Sequence, residues 1–332
     1  MKRLTFIIVC LLGITQIHAQ LSQVLLSHNG NITQYGSQQL STAISASVAG
    51  DTLFLPDGTF AGGITINKAI TIVGSGAGSV IDGNVTVSIP NTPTLSSILL
   101  DAVNITGNLS VSLACKGLKI RKCKIGGIVS FAGNISNAKF DRCNIQYIAL
   151  SSYVQGLYVN NSYIYHAYGQ PHAVDEAVFV NCNIYKIQDN RSSGTDYYNR
   201  SYFLGTILNS IVLQSSSYPS NYYPISEYSN YSINSNVIII NTLVNDQCSW
   251  INSCNSNNCM TADFNMNSIY SSLSSDDLLN GNYLGNDGTI VGINGGNMPY
   301  TLEPKAPKVV SNKITLDAAN DKLNVTLKVT AN

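Results

Sequence analysis

The chain has 332 residues, and its 18 Lys and Arg balance its 18 Asp and Glu. Only 11% of the residues are charged, so Asn, Ser, Thr and Tyr supply most of the polarity. That balance gives no overall basic field for nucleic acid, and beyond the first residues no apolar run reaches the ~18 needed to cross a bilayer.

Residues 1–19 have the form of a secretory leader: Lys2 and Arg3 precede the apolar run from Phe6 to Leu12, and Ile17-His18-Ala19 before Gln20 makes a cleavage site. The mature chain is therefore expected to be secreted, or held at the cell surface or in the periplasm. Leu40, Ala43, Ile44 and Val48 fall at helical spacing behind Ser37, which predicts a helix over about 37–49 with Ser37 as its N-cap. Two alternating segments follow, Gly50 to Phe60 and Ile64 to Gly74, broken by Asp-Gly and Gly-Gly. A helix placed ahead of a first strand layer would cover its open end.

From Leu118 a single phrase recurs. It reads Leu118-Lys-Ile-Arg-Lys-Cys123-Lys-Ile125, then Ala138-Lys-Phe-Asp-Arg-Cys143-Asn-Ile145, then Leu157-Tyr-Val-Asn-Asn-Ser162-Tyr-Ile164, then Ala177-Val-Phe-Val-Asn-Cys182-Asn-Ile184. The step is about 20 residues. An earlier copy ends at Ile105, and looser ones are expected around Asn209-Ser210, Asn234-Ser235 and Phe264 to Ile269. Each phrase alternates apolar and polar residues on both sides of a dipeptide, as two short strands joined by a tight turn would. One such coil cannot bury its apolar side alone, so coils must stack with their strands in parallel. The expected fold is an all-β, single-stranded parallel β-helix solenoid over 20–300, with an N-terminal capping helix and, from the alternation across Val309 to Val329, a C-terminal β-hairpin cap over 301–332.

The opening residues Ala49-Gly-Asp-Thr52, Leu55-Pro-Asp-Gly-Thr59, Ile70-Thr-Ile-Val-Gly74 and Ile81-Asp-Gly83 resemble the start of pectate-lyase-like right-handed parallel β-helix proteins. With the later coils, the resemblance spans most of the mature chain. It implies right-handedness, a carbohydrate-related history and an asparagine ladder along the turns. The closing region resembles that of exported bacterial β-helix proteins.

Aligned coils define columns. Ile120, Phe140, Val159 and Phe179 form one inward column, and Ile125, Ile145, Ile164 and Ile184 another. Cys123, Cys143, Ser162, Cys182, Ser210 and Ser235 form a third, just past turns expected at Asn161, Asn181, Asn209 and Asn234, whose amides could bond one another. Asp101, Arg121, Asp141 and Asn160 form an outward column with the spacing of a charge ladder. Lys116, Lys119, Arg121, Lys122, Lys124, Lys139 and Arg142 crowd the same region and could take an anionic polymer. Cys123 and Cys143 should be stacked thiols, whereas Cys248, Cys254 and Cys259 suggest one disulfide with a thiol left over. Without a nearby His those three make a poor zinc set, and no metal site is expected.

The reading that weighs most is a non-catalytic glycan-binding or cell-surface scaffold. Fifteen of the 19 tyrosines lie between Tyr147 and Tyr231, many in the excursions 186–202 and 214–231. There Tyr197, Tyr198, Tyr222 and Tyr223 offer ring faces and hydroxyls to a sugar. Tyr158, Tyr163 and Tyr185 are expected instead to lie along the sheet surface. The alternative is a divergent polysaccharide lyase or glycoside hydrolase. Asp276-Asp277 sits in Ser-Ser-Asp-Asp-Leu-Leu, without the Gly-His-Gly or Arg-x-Lys that the resemblance implies for hydrolysis. For elimination the resemblance implies clustered carboxylates, a calcium ion and a basic residue. The nearest collection is His166, His172, Asp175, Glu176, Lys186, Asp189, Arg191 and Asp196, with Asp175, Glu176, Arg191 and His172 the catalytic candidates. Asp175 and Glu176, if on a strand, would face opposite ways. Outside the lyase alternative no cofactor is expected.

Overall fold

A computed structural model describes residues 23–89, 98–113, 115–169, 172–187, 205–212, 238–245, 255–262, 275–300, 308–317 and 322–330. They fall into two compact units, 1–300 and 301–332. The first is a parallel β-solenoid of about 7 turns, with two sheets of 13 strands each. In the first sheet Leu99–Asp101, Lys119–Arg121, Ile135–Asp141, Val154–Asn160 and Ala177–Val180 lie side by side in parallel. In the second, Asn104–Ile105, Lys124–Phe131, Asn144–Leu150, Tyr163–Gly169 and Asn183–Ile187 do the same.

From Leu99 onward each described coil passes from the first sheet to the second through one residue with φ between 43° and 56°: Ala102, Lys122, Arg142, Asn161, Asn181, Asn209, Asn241 or Asn258. Asparagine enters this left-handed region readily, whereas an ordinary side chain does so at a cost of roughly 1–2 kcal/mol. The residue after the turn closes it from inside. Ser162 and Ser210 donate to the carbonyls of Asn160 and Leu208 at 2.7 and 2.6 Å, and accept the Cys143 and Cys182 N–H groups of the preceding coil, both at 3.0 Å. The cysteine thiols replace the hydroxyls. Cys123, Cys143 and Cys182 donate to Arg121, Asp141 and Val180 carbonyls at 3.1, 3.5 and 3.3 Å. Burial pushes Cys123 and Cys182 up to about 12 and Cys143 well above the ordinary thiol value, so all three act as protonated donors.

Both predicted apolar columns are buried in register, with Phe140 between Ile120 and Val159 and with Ile145 between Ile125 and Ile164. Farther along, the turn column differs from expectation. Its next rungs are Asn241-Thr242 and Asn258-Cys259, whereas Asn234-Ser235 and Phe264 to Ile269 lie outside the described residues. Ile239 and Val244 give the coil of Asn241 both of its inward apolar residues, which Ser232 denies to Asn234. Cys259 is a free thiol donating to Ile239 O at 3.4 Å, so it belongs to the scaffold and not to the expected disulfide. Cys248 and Cys254 lie outside the described residues.

The N-terminal end is sealed twice. A hairpin of Gln23–His28 and Asn31–Gly36 pairs antiparallel to Thr52–Leu55 and extends the first sheet. Helix α1 (Leu40–Ala46) packs against the first strands of the second sheet, burying Leu40, Ala43 and Ile44. The helix ends before Val48, and Ser37 is not its cap. Ser37 lies in a 3-10 turn, Ser37–Gln39, opened by the Gly36 N–H donating to Gln39 Oε1 at 2.9 Å. Lys68 Nζ closes the other end, donating to the carbonyls of Ile44, Ser45 and Ser47 at 3.0, 2.7 and 2.6 Å.

Asp51 joins hairpin to helix, accepting the His28 ring at 2.7 Å and the Val48 N–H at 2.8 Å. Burial alone would raise its pKa. The Val48 N–H, the His28 ring and the Lys68 charge more than offset that and hold the carboxyl below its ordinary value. A depressed carboxylate stabilises the fold above its unfolded pKa of about 3.9, and that contribution is lost as pH falls through the folded value. Asp51→Asn should therefore lower the melting temperature at pH 7 and narrow its deficit towards pH 3. A deficit unchanged across that range in thermal melts would contradict the coupling.

At the far end, α2 (Ser275–Asn280) leads into a strap, 281–300, that runs back along the coils. Asn209 Nδ2 donates to Asn286 Oδ1 at 2.7 Å and Asn161 Nδ2 to the Gly295 carbonyl at 2.7 Å, while the Ile293 N–H donates to Asn183 Oδ1 at 3.2 Å. The turn amides of Asn161 and Asn209 thus bond the strap instead of their neighbours in the column. An asparagine ladder does occur at another corner, where Asn84 Oδ1 accepts the Asn108 N–H and Asn108 Oδ1 the Ile128 N–H, at 2.9 and 2.8 Å.

The first residue of each second-sheet strand that follows a turn, from Asn104 onward, explains where the strap lies. Down the second sheet that column reads Asn104, Lys124, Asn144, Tyr163, Asn183, Ile211, Leu243, Met260. It is polar in the early coils and mainly apolar in the late ones. Leu278, Ile290 and Val291 cover Ile211 and Leu243 there, with Tyr185, Met260 and Tyr283 at the margin. Tyr163 is buried, contrary to the surface position expected for it. Gly292 has φ 84°, and a Cβ there would meet Asn183 Oδ1 at 2.4 Å. In the second unit Lys308–Asp317 and Lys322–Thr330 form an antiparallel hairpin.

Candidate functional site

Three of the four catalytic candidates, His172, Asp175 and Glu176, fall on one crossing from the second sheet back to the first. His166 lies on Tyr163–Gly169 of the second sheet, aligned with Tyr147 and Lys186 on its neighbours. His172 is exposed on the crossing back to the first sheet, with its N–H on Val154 O at 3.1 Å. Asp175 and Glu176 occupy a 3-10 turn, Val174–Glu176, closed by the Glu176 N–H donating to Ala173 O at 3.1 Å. They are not on a strand, so the alternation expected of them does not apply. Asp189, Arg191 and Asp196 lie outside the described residues, as do Tyr197, Tyr198, Tyr222 and Tyr223. Among the described residues no group of three or more His, Cys, Asp or Glu could hold a metal ion.

Two surface faces stand out instead. On the second sheet the strands Asn144–Leu150 and Tyr163–Gly169 bend so that two consecutive residues lie between buried ones, Tyr147 following Gln146 between Ile145 and Ile148, and Tyr165-His166 between Ile164 and Ala167. This corner collects rings from three adjacent strands. Tyr165 and Tyr185 stack at 4.7 Å with planes 7° apart. Tyr147 meets Tyr165 edge-on at 6.1 Å and His166 at 5.8 Å, and His166 meets Tyr168 at 5.2 Å. The stacked pair spends ring faces on itself. Tyr147 and Tyr168 are half-buried and cross the rings they meet at 53–84°, an edge-on or tilted geometry and not a face-to-face one. Tyrosine enrichment was the available signal, but the shared corner needed the two-residue outward step, which strict alternation does not anticipate.

The first sheet carries the basic face. Arg121 pairs with Asp101 at 2.5 Å, as the outward column anticipates, but Asp141 is held by Arg142 at 2.6 Å and not by Arg121. Lys116, Lys119 and Lys139 lie exposed on this sheet, whereas Lys124 belongs to the second sheet and Lys122 to the turn between them. Tyr158, 40% exposed, is the neighbour of Lys139 on the next strand. Its hydroxyl is pushed above its ordinary pKa by burial, with the Cys182 and Asp141 fields adding to the shift.

No family model, curated protein or solved structure matches the chain. What fold and faces define is a class: a parallel β-solenoid, sealed at its first coils by a helix and over its late coils by a strap, bearing one aromatic and one basic face.

Proposed function

We propose that this is an exported scaffold protein that binds a glycan without cleaving it, placing sugar rings on the aromatic corner of the second sheet. The observation that carries this reading is the contact of Tyr147, His166 and Tyr168 on adjacent strands, outside a core filled by other residues. Rings so placed offer apolar faces to pyranose rings, and Tyr hydroxyls with Gln146 can meet sugar hydroxyls. A rigid solenoid holds them at fixed spacing, which lowers the ordering cost of binding an extended chain. The leader expected at residues 1–19 supports an extracellular or cell-surface glycan as the partner.

Screening on a glycan array followed by titration tests it. Tyr147→Ala and Tyr168→Ala should each weaken the best glycan about 3- to 10-fold, the size of one aromatic contact, with no new sugar ends formed. An array without any bound glycan would refute the reading. Release of unsaturated or reducing ends from a uronate-rich polysaccharide with calcium present, lost in His172→Ala or Asp175→Ala, would replace it with the lyase or hydrolase reading.

A further inference from the structure

One outward column of the first sheet reads Leu99, Lys119, Lys139, Tyr158, Val178 on successive strands. Lys119 and Lys139 are exposed neighbours, on strands about 4.8 Å apart. Like charges directly opposite each other destabilise a sheet. The adjacent charged column is neutralised, since Asp101 and Asp141 are taken by Arg121 and Arg142. Among the described residues neither lysine is in an ion pair. From Lys116 to Arg142 the chain holds seven of its 18 basic residues and a single acid, Asp141. The chain as a whole is neutral, so this coil region is a local excess and not a reflection of composition.

We propose that Lys119, Lys139 and Tyr158 form a binding column for an acidic polysaccharide running along the stacking axis. Its anionic groups meet the two ammonium groups, and one sugar ring lies on Tyr158. The column favours a glycan over an anionic membrane because cation, cation and exposed ring occupy consecutive rungs of one parallel sheet. Lipid headgroups need no ring and no line. Lys116, exposed at the start of the same coil on a strand paired with Ile135–Asp141, extends the basic margin. The class of partner rests on the glycan-binding reading above; the face does not, because it lies on the other sheet.

The test is retention of the full chain on a sulfated polysaccharide, on a uronic-acid polysaccharide, on the carboxyl-reduced neutral form of the latter, and on vesicles containing anionic phospholipid. Retention by either anionic polymer, weak on the neutral one and eluted by about 0.5 M salt, is the expected result, and the stronger of the two identifies the anion. Lys119→Gln with Lys139→Gln should lower it roughly 30-fold, the size of two lysine contacts to an anionic surface. Tyr158→Ala should lower it about 3- to 10-fold. The double lysine variant should melt at or above the unaltered protein, because a like-charge pair is removed, and this separates lost binding from lost fold. Unchanged retention in the lysine variant, or equal binding to the vesicles, would overturn the proposal. Tyr147→Ala with Tyr168→Ala serves as the control: if it abolishes anionic retention while the lysine variant does not, this inference fails and the aromatic corner stands. If only the lysine variant matters, anionic retention belongs to the basic column, and the corner stands or falls on the glycan array.

Discussion

Phe140→Ala is expected to destabilise the solenoid by about 3–5 kcal/mol. Phe140 is fully buried, stacked between Ile120 and Val159, and its coil is flanked on both sides by hydrogen-bonded strands. The cavity left by a ring cannot collapse unless one of those ladders breaks, so the loss falls at the upper end of what the apolar volume alone would cost. In a stack where each repeat touches only its neighbours, the effect should centre on Lys119–Arg121 and Val154–Asn160 before it spreads. Denaturant unfolding gives the magnitude and hydrogen exchange the location. A loss below about 1 kcal/mol would mean that the coils repack around this column.

The same columns show why some of the protein is legible from sequence and some is not. Between Leu118 and Ile184 the inward positions face the same environment in every coil, so Ile125, Ile145, Ile164 and Ile184 report one burial condition repeatedly. The turn is read equally well, because few residues tolerate its backbone. Cys259 escapes because Ser256 and Thr261 occupy the positions that are apolar in earlier coils, at the point where the core is running out. The strap escapes for another reason. Its 20-odd residues have no periodicity, and its Gly-rich composition reads as a simple exit from the coils. The available clue was indirect: Ile211 and Leu243 stand where earlier coils carry Asn104, Lys124 and Asn144. Outward apolar residues in a repeat call for a cover, and the cover comes from a segment 77–134 residues from the turn asparagines it bonds.

The candidate site divides along the same line. That tyrosines accumulate after Tyr147 is plain from composition, but which rings meet depends on the bend that turns Tyr165 and His166 outward together. Asp175 and Glu176 adjoin a strand that begins at Ala177, but the chain spends them on a 3-10 turn ahead of it, so strand alternation does not describe them. For the basic face the residues were legible and their division was not. The repeat aligns Lys119 with Lys139, but only the side-chain geometry shows that Asp141 pairs with Arg142 and not with Arg121.

Val291→Asp should release the strap and, with it, the late coils alone. Val291 is fully buried with Leu278 and Ile290 over Ile211 and Leu243. A carboxylate there would have to be desolvated without a partner, a cost of several kcal/mol that detaching the strap avoids. Detachment exposes the apolar column and frees the amides of Asn161 and Asn209, so the coils from Tyr163 to Met260 lose both cover and turn anchors. The coils before Arg142 keep their seal, because α1, the hairpin and Lys68 lie at the other end. Two buried thiols report the difference. Cys182 sits in a coil that the strap spans and Cys123 in one that it does not; both are pushed up to about 12 and are unreactive while buried. Alkylation under native conditions should reach Cys182 in Val291→Asp well before Cys123, whereas both should be protected in the unaltered chain. Simultaneous labelling would show that the stack melts as one unit, and no labelling would show that the strap is dispensable. Selective opening would therefore give the two halves of the solenoid separate stabilities: an early half that carries the basic face, and a late half whose order depends on a segment added after the last coil is made.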